Sequence, residues 1–422
     1  MSKKLTAAII GCGSRGTLYA ECFQRMPQKY EIVALCDISE EQMKKIHTLC
    51  DVKDAQVFLD EDSFWQEKRA DVLVIATPDR VHVRQALRAL ALGYHLLLEK
   101  PISDDRAELS ALLAAQEKSE SKVVICHELR YAKGFAECAS ILRSERLGKL
   151  YAIDASERVR FFHWAQAYVR GIGSFLAHGF SAIFAKCSHD LDLLQAYAQS
   201  ECDTVSSVGD RAFFIPENAP HGATERCLDC PHCDTCAYSA KTIYIDNWHK
   251  AGEPTFVWPY NKVSIKVPLT ENGLREGLQN GPYGKCVFTA SEDMVDHQFV
   301  QMTFKNGVKA SLKMVFAADE GAGRRISFYC QYGELILDER TDSIEILPFG
   351  KPKECFSISE LTQNSGDGHG GGDMLLVNEL YGIICEGKKP LTSLKESVES
   401  HLMGITAEES RKNGGALVKV HS

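Results

Sequence analysis

The chain has 422 residues, is 45% hydrophobic and carries a formal net charge of -9 at pH 7. Its length supplies core for two or three domains, no run of about 18 apolar residues offers a membrane span, and an acidic balance without a basic block argues against a nucleic-acid partner. The opening MSKKLTAAII enters a strand pattern without a signal-peptide cleavage site, so the cytoplasm is the expected setting and no membrane partner is expected.

The first 126 residues alternate apolar strand-length runs with helical-period segments, the pattern of a parallel sheet built from βαβ units. The strand segments are LTAAIIG, EIVALCD, DVLVIAT, YHLLLEK and SKVVICH. Strand LTAAIIG leads into Gly11-Cys12-Gly13-Ser14-Arg15-Gly16 and then a helical segment. Glycines at these positions allow a tight turn, a close approach of backbone N–H groups to a pyrophosphate, and packing of helix on strand. Asp37 ends the next strand, where an acidic side chain accepts hydrogen bonds from a ribose 2′-hydroxyl and repels a 2′-phosphate. The pattern predicts NAD(H) as cofactor, although Asp37 also suits a solvated strand end or a cap for SEEQ.

Beyond residue 126 the alternation stops. KLYAIDASERVR, HQFVQMTFKNGVKASLKMVF and RRISFYCQYGELILDE alternate polar and apolar residues around KNG and QYG turns, which predicts an antiparallel sheet with one covered face. The expected architecture is α/β, with a Rossmann domain over 1–126 and an α+β domain with a large, mostly antiparallel open sheet over 127–422. An irregular, cysteine-rich insertion over about 216–286 interrupts the second domain, and a helix near LKESVESHLMGITAEESRKNG closes the chain.

Of the sixteen cysteines, most lie singly in apolar or helical contexts, such as Cys36 and Cys385, and pack as small hydrophobes. The exception is ERCLDCPHCDTCAYSA, in which Cys227, Cys230, Cys233 and Cys236 recur at two-residue gaps. Such gaps let thiolates converge on zinc or iron. The run lacks the final three-residue gap and following proline of bacterial ferredoxins, since Ala237 stands in the proline position.

The segments IIGCGSRG, VIATPDRVHVRQALRALALGYHLLLEKPIS and AKCSHDLDLLQAY resemble the glucose-fructose oxidoreductase, inositol dehydrogenase and rhizopine-catabolism family, Gfo/Idh/MocA. The most specific element is Glu99-Lys100-Pro101, with a helix expected from near Asp104. The resemblance implies oxidoreduction of a sugar, glycoside or polyol held between the two domains, and oligomer contacts through the open sheet, making a homo-oligomer. It places Thr77 and Pro78 at the nicotinamide end and brings His82 and Glu99 into the cofactor-side set. Lys100 falls close to both nicotinamide and substrate hydroxyl, where burial and a neighbouring cation favour its neutral, basic form.

Many members carry an aspartate four residues before a histidine; here His189 and Asp190 match the end of that motif but Ala185 replaces the aspartate. Lys186 is the candidate substitute, and His189 becomes the leading acid/base residue because imidazole titrates near neutrality. Asp190 is also suited to cap the helix. FFHWAQAYVRGIG resembles a glycoside-acting branch and suggests His163, Tyr168 and Arg170 at the substrate, with Gln166-Ala167 where the branch usually has His-Ser. Gly368-His369-Gly370-Gly371-Gly372-Asp373 is similar to a turn that brings a histidine to the sugar. His127, Arg130 and Tyr131 are further candidates. The branch usually keeps three of the clustered cysteines plus one more, which nominates Cys227, Cys230, Cys236 and Cys286 for structural zinc, with Cys233 as rival fourth ligand.

Three activities remain open: net oxidoreduction, a redox-neutral NAD-dependent glycosidase acting by transient oxidation and elimination, and a non-catalytic NAD-responsive regulator.

Overall fold

The computed structural model describes residues 3–52, 54–171, 180–290, 294–362 and 369–421. Six strands form a parallel sheet: β1 (Leu5–Ile10), β2 (Tyr30–Cys36), β3 (Gln56–Phe58), β4 (Val72–Ile75), β5 (His95–Leu98) and β6 (Val123–Ile125). Their order is β3-β2-β1-β4-β5-β6, so the chain reverses direction across the sheet between β1 and β4. A crevice opens at such a switch point, beyond the strands' C-terminal ends. VLVI of β4 and LLL of β5 are buried throughout, as expected of strands covered on both faces. Each such side chain contributes about 1.5–3 kcal/mol through burial.

The sequence pattern missed β3, and it placed one helix start a residue or two early: Asp105 caps the helix Arg106–Glu117 by accepting from Ala107 and Glu108 N–H at 2.6 and 3.1 Å.

The second sheet has nine strands: β7 (Leu150–Arg160), β8 (Cys202–Asp210), β9 (His297–Phe304), β10 (Lys309–Ala318), β11 (Gly323–Cys330), β12 (Gly333–Asp338), β13 (Ser343–Pro348), β14 (Glu354–Ser357) and β15 (Val418–Lys419). The order is β14-β13-β12-β11-β7-β10-β9-β8-β15. All pairs are antiparallel except β7 with β10, which run parallel at the centre. In β9 buried and exposed residues alternate, with Gln298, Val300 and Met302 facing the core and Phe299 facing out. The expected turn at Lys305-Asn306-Gly307 forms, Gly307 taking φ +93°.

The helix Leu394–Lys412 covers the inner face, where Ser410 Oγ accepts from Ser207 N–H at 2.8 Å. The helix Gly372–Cys385 leaves the second half and packs on the first. Its Leu376, Val377 and Leu380 join the core around β1 and β2, and Tyr30 Oη donates to Val377 O at 2.8 Å.

The cysteine-rich insertion is more ordered than its sequence predicts. It carries the helix Glu271–Asn280, capped by Thr270, and its own core around Tyr244, Trp248, Leu274 and Leu278. No helix among the described residues is long and apolar enough to cross a membrane.

Candidate functional site

The turn after β1 has the form its glycines predict. A Cβ on Gly11 would lie 2.5 Å from the Ala76 backbone, and one on Gly16 would lie 2.0 Å from Gly11 O, so the turn packs against β4 and the helix Ser14–Gln24 against the turn. At Gly13 nothing lies within 4 Å of that position, which leaves room for a phosphate against the backbone. Cys12 is fully buried, and Ser14 is exposed at the helix start.

Asp37 accepts from Cys12 N–H at 2.6 Å and from Ser39 N–H at 2.8 Å. It fixes the turn, while Ser39 rather than Asp37 caps the helix Glu40–Cys50. These contacts fit a dinucleotide: open backbone at the turn, and an acid at the next strand's end. Lys262, from the insertion, donates to Ser14 Oγ at 2.8 Å and brings a cation to this mouth. Nothing in the local sequence around Lys262 signals that role.

Lys100 ends β5 beside a cis Lys100-Pro101 bond, and its backbone N–H donates to Glu99 Oε2 at 3.0 Å. Thr77 donates to Gln85 Oε1 at 2.6 Å at the end of β4, next to Pro78. His82, expected on the cofactor side, is 1% exposed; its ring nitrogens lie 2.8 Å from Pro101 O and 2.9 Å from Thr77 O. It is a strut between the two loops.

Glu99 and Arg15 organise the floor of the cleft. Arg15 contacts Glu99 and Tyr19 closely, reaches Asp373 Oδ1 at 2.9 Å and stands 3.3 Å from Glu128 Oε1. Burial works against the Glu99 carboxylate, yet Arg15 and Lys100 hold it below its usual pKa. Glu128 is raised: burial outweighs the nearby Arg15 and His369. Neither Glu128 nor Asp373 was singled out from sequence. A weak signal existed in the Gly-rich turn, because Gly372 is what admits the chain here: a Cβ on it would lie 2.2 Å from Glu128 O.

Three imidazoles meet this floor from the second half. His189 Nε2 lies 3.8 Å from Glu128 Oε1, and its ring is 5.8 Å from that of His127 and 5.9 Å from that of His369. His369 Nδ1 lies 3.0 Å from Asp373 Oδ2 and 3.2 Å from Glu128 Oε1. Gly368 lies outside the described residues. Burial, reinforced by Lys100 and the neighbouring histidines, holds His189 well below its usual pKa, and burial takes His127 down to about 4. Both rings are therefore neutral at pH 7, able to accept or pass a proton.

His163 packs edge-on to Trp258 of the insertion at 5.1 Å and lies 6.0 Å from Tyr168. Its pKa falls to about 3 through burial and the charge of Lys186.

Five sequence candidates hold other posts. Lys186 pairs with Glu157 at 2.9 Å, and Arg324 grips Asp190 at 2.8 and 3.1 Å while also reaching Glu157 at 3.1 Å. Lys186 and Asp190 thus belong to one buried ion network, and Cys187 rather than Asp190 takes the cap position of the helix Ser188–Ala198. Arg130 is clamped by Asp192 at 2.7 and 2.8 Å, and Tyr131 Oη lies 3.3 Å from Thr392 Oγ1. Arg170, expected at the substrate, turns to the insertion instead: it donates to Lys285 O and Tyr238 O, both at 2.6 Å, and to Cys227 Sγ at 3.2 Å. An arginine in an aromatic segment reads the same in sequence whichever way it turns.

Cys227, Cys230, Cys233, Cys236 and Cys286 line one small cavity with Arg170. All sixteen cysteines are free thiols. Among the described residues, the trios of potential ligands within 4.8 Å of one another are Glu128–His189–His369 and Asp210–Asp296–His297, and neither contains a cysteine. The donor set and the Arg170 charge suit a thiolate-bound ion, with the sulfurs standing further apart than a bound ion would hold them.

Residues 5–127 match the family described as oxidoreductase family, NAD-binding Rossmann fold. The Bacillus subtilis protein YteT, named as a candidate oxidoreductase, is 24% identical over 404 residues, covering 91% of this chain and 89% of that protein. Inositol 2-dehydrogenase of Salmonella typhimurium is 25% identical over 146 residues, 34% of this chain and 43% of the enzyme. A levoglucosan dehydrogenase structure in complex with NADH and levoglucosan shares the fold across 100% of both chains, with a TM-score of 0.72 and 15% identity.

Proposed function

Since this chain belongs to the Gfo/Idh/MocA oxidoreductase family, we propose that it moves a hydride between NAD(H) and a hydroxyl or keto carbon of a sugar, glycoside or polyol. The observation that carries the reading is the meeting of Lys100, just past β5, with His189 and its neighbours His127 and His369 across the cleft from the Gly11–Gly16 turn. The inositol and levoglucosan dehydrogenases named above support a polyhydroxylated substrate.

NAD(H), when bound, supplies the hydride acceptor or donor. The turn's backbone N–H groups hold the pyrophosphate, with Asp37 at the ribose hydroxyls and Thr77 and Pro78 at the nicotinamide end. Oxidation of a carbinol carbon also requires loss of the hydroxyl proton. Lys100 Nζ takes that proton, and His189 relays it from the enclosure. His127, His163, Tyr168 and His369 orient the ring hydroxyls. Lys186, Asp190 and Arg130 act at a distance by fixing the walls, and Arg170 by fixing the insertion.

The cysteine cavity holds a structural zinc ion in this reading. Cys227, Cys230, Cys236 and Cys286 are the ligands in this reading, all on one cavity, while Cys233 Sγ, on the same cavity, faces Ser239 Oγ at 3.8 Å. With four protein ligands the ion is closed to catalysis. Metal analysis should show zinc, lower by one ion per chain in Cys286→Ser and unchanged in Cys233→Ser. Retention in both variants is evidence against this ligand set. A reducing cytoplasm keeps the remaining thiols free. Outward-facing Val208, Phe299 and Tyr329 on the large sheet support a homo-oligomer.

The test incubates purified protein with NAD⁺ and a panel of free sugars, polyols and aryl glycosides, recording reduced-nicotinamide absorbance and aglycone release together. Accumulating NADH without aglycone supports this reading. Aglycone release at constant absorbance makes the protein a redox-neutral glycosidase, and NAD⁺ binding without turnover across the panel makes it a regulator.

A further inference from the structure

We propose that Glu128, His189 and His369 form a binding site for a divalent first-row cation of the manganese, iron or zinc class at the floor of the cleft. The proposal rests on the reading of this cleft as the sugar site; it makes part of the sugar contact metal-mediated and, with the ion bound, turns His189 from proton relay to ligand. The three side chains come from separate places: the segment after β6, the start of the helix Ser188–Ala198, and the turn before the helix Gly372–Cys385. Their ligand atoms all lie within 4.8 Å of one another. Glu128 Oε1 is 3.2 Å from His369 Nδ1 and 3.8 Å from His189 Nε2. Two ligands each about 2.1 Å from one ion, in tetrahedral or octahedral array, stand roughly 3.0–3.4 Å apart. The Glu128–His369 separation already fits, the Glu128–His189 one needs a shift of a few tenths of an ångström, and the His189–His369 one is within 4.8 Å and closes as the ion binds.

A second observation points the same way. Glu128 is 1% exposed and its Oε2 has no hydrogen-bond partner; His189 is 6% exposed and its Nδ1 has none. Buried polar atoms are ordinarily paired, so the unpaired Glu128 Oε2 is open to a partner beside the ligating Oε1, whereas the unpaired His189 Nδ1 is the ring nitrogen turned away from Glu128. Charge agrees. Glu99, Glu128 and Asp373 converge on Arg15, and even with Lys100 counted the carboxylates outnumber the cations by three to two. On binding, the ion takes the Nδ1 lone pair of His369, whose ring proton then sits on Nε2, and Asp373 keeps its hold on Arg15. Two imidazoles and one carboxylate suit this class of cation and leave coordination positions open. Adjacent hydroxyl oxygens of the sugar fill them, next to Lys100.

The other trio, Asp210–Asp296–His297, is internally satisfied: His297 Nδ1 lies 2.7 Å from Asp296 Oδ1, and Asp296 Oδ2 accepts from Phe213 and Phe214 N–H at 2.7 and 3.2 Å. It serves as the control.

Full-length protein, stripped with a chelator, is titrated with Mn²⁺ alone, and free Mn²⁺ is read by electron paramagnetic resonance. Manganese prefers nitrogen and oxygen donors and so avoids the thiol cavity. The expected result is one bound Mn²⁺ per chain, weakened at least tenfold in both His369→Ala and Glu128→Gln and unchanged in His297→Ala. The His369 side chain is 39% exposed, so its removal leaves the fold intact. Absence of a site at millimolar Mn²⁺, a site retained by both variants, or one lost in His297→Ala overturns the proposal. NAD⁺ binding measured by fluorescence on the same samples separates this failure from failure of the oxidoreductase reading.

Discussion

Replacing Arg15 by methionine keeps the length of the side chain and removes the cation on which Glu99, Glu128 and Asp373 converge. The carboxylates are 4%, 1% and 0% exposed as side chains, so water cannot take over the lost charge. Breaking a fully buried pair costs about 3–5 kcal/mol. The Arg15 side chain itself is 27% exposed, which places the expected loss at the lower end, about 3 kcal/mol. At roughly 2 °C per kcal/mol for longer chains, the melting temperature should fall by about 6 °C at pH 8. The pH dependence carries the sharper signature. Without Arg15 the buried carboxylates have folded pKa values above their unfolded ones, so the folded state takes up protons first on acidification. The deficit is therefore complete above the raised pKa and shrinks as pH falls. Scanning calorimetry of both proteins at pH 8 and pH 5.5, in chelator so that no bound cation masks the charge, measures it. Equal melting temperatures at pH 8, or a deficit that grows toward pH 5.5, refute the account of the cluster.

Lys100→Ala should lower turnover by about 100- to 10,000-fold, the range expected for loss of a positioned base, while calorimetric NAD⁺ affinity is retained; unchanged turnover removes Lys100 from the mechanism. Lys262→Ala should weaken NAD⁺ binding about fivefold through loss of roughly 1 kcal/mol of electrostatic contact at the mouth, and unaltered affinity means that the lysine serves Ser14 alone. Stability should also fall with acid. His127, His163 and His401 have folded pKa values lowered by burial to about 4, 3 and 3. The folded state binds fewer protons than the unfolded state below the ordinary histidine value of about 6.5, so stability is full above that pH and is lost on descent toward 4, by up to about 1.4 kcal/mol per pH unit for each ring. Urea midpoints at pH 7.5 and 5.5 report this, and a flat profile contradicts the burial of these rings.

The parallel sheet was readable in the sequence because buried strands such as VLVI and HLLL are continuous apolar runs bounded by turn residues. β3 was not, since in QVF two of three residues are exposed and no period is present. Lys100 and His189 were nominated by motif context, and the structure brings them near one another. Glu128 and Asp373 were not nominated, because their importance arises from contacts that link distant parts of the chain: Arg15 and Asp373 are 358 residues apart. The same distance effect explains Arg170 and Lys186, whose partners Cys227 and Glu157 lie on other elements. Local spacing reports which residues share an element, while the direction of a long cationic side chain is decided by tertiary packing.

The parallel pairing of β7 with β10 also fixes the order in which the molecule can be assembled. Lys309 of β10 opposes Ala152 of β7, so the centre of the large sheet closes only after some 160 intervening residues have been made. The six strands of the first sheet are all complete by Ile125. During synthesis the first half therefore has its strands in hand while β7 waits as an unpaired, half-apolar edge, and loop closure over that span makes the second half the slow step. A nascent chain halted before residue 309 has every strand of the first sheet but lacks both β10 and the helix Gly372–Cys385 that covers β1 and β2, and should thus remain a chaperone client.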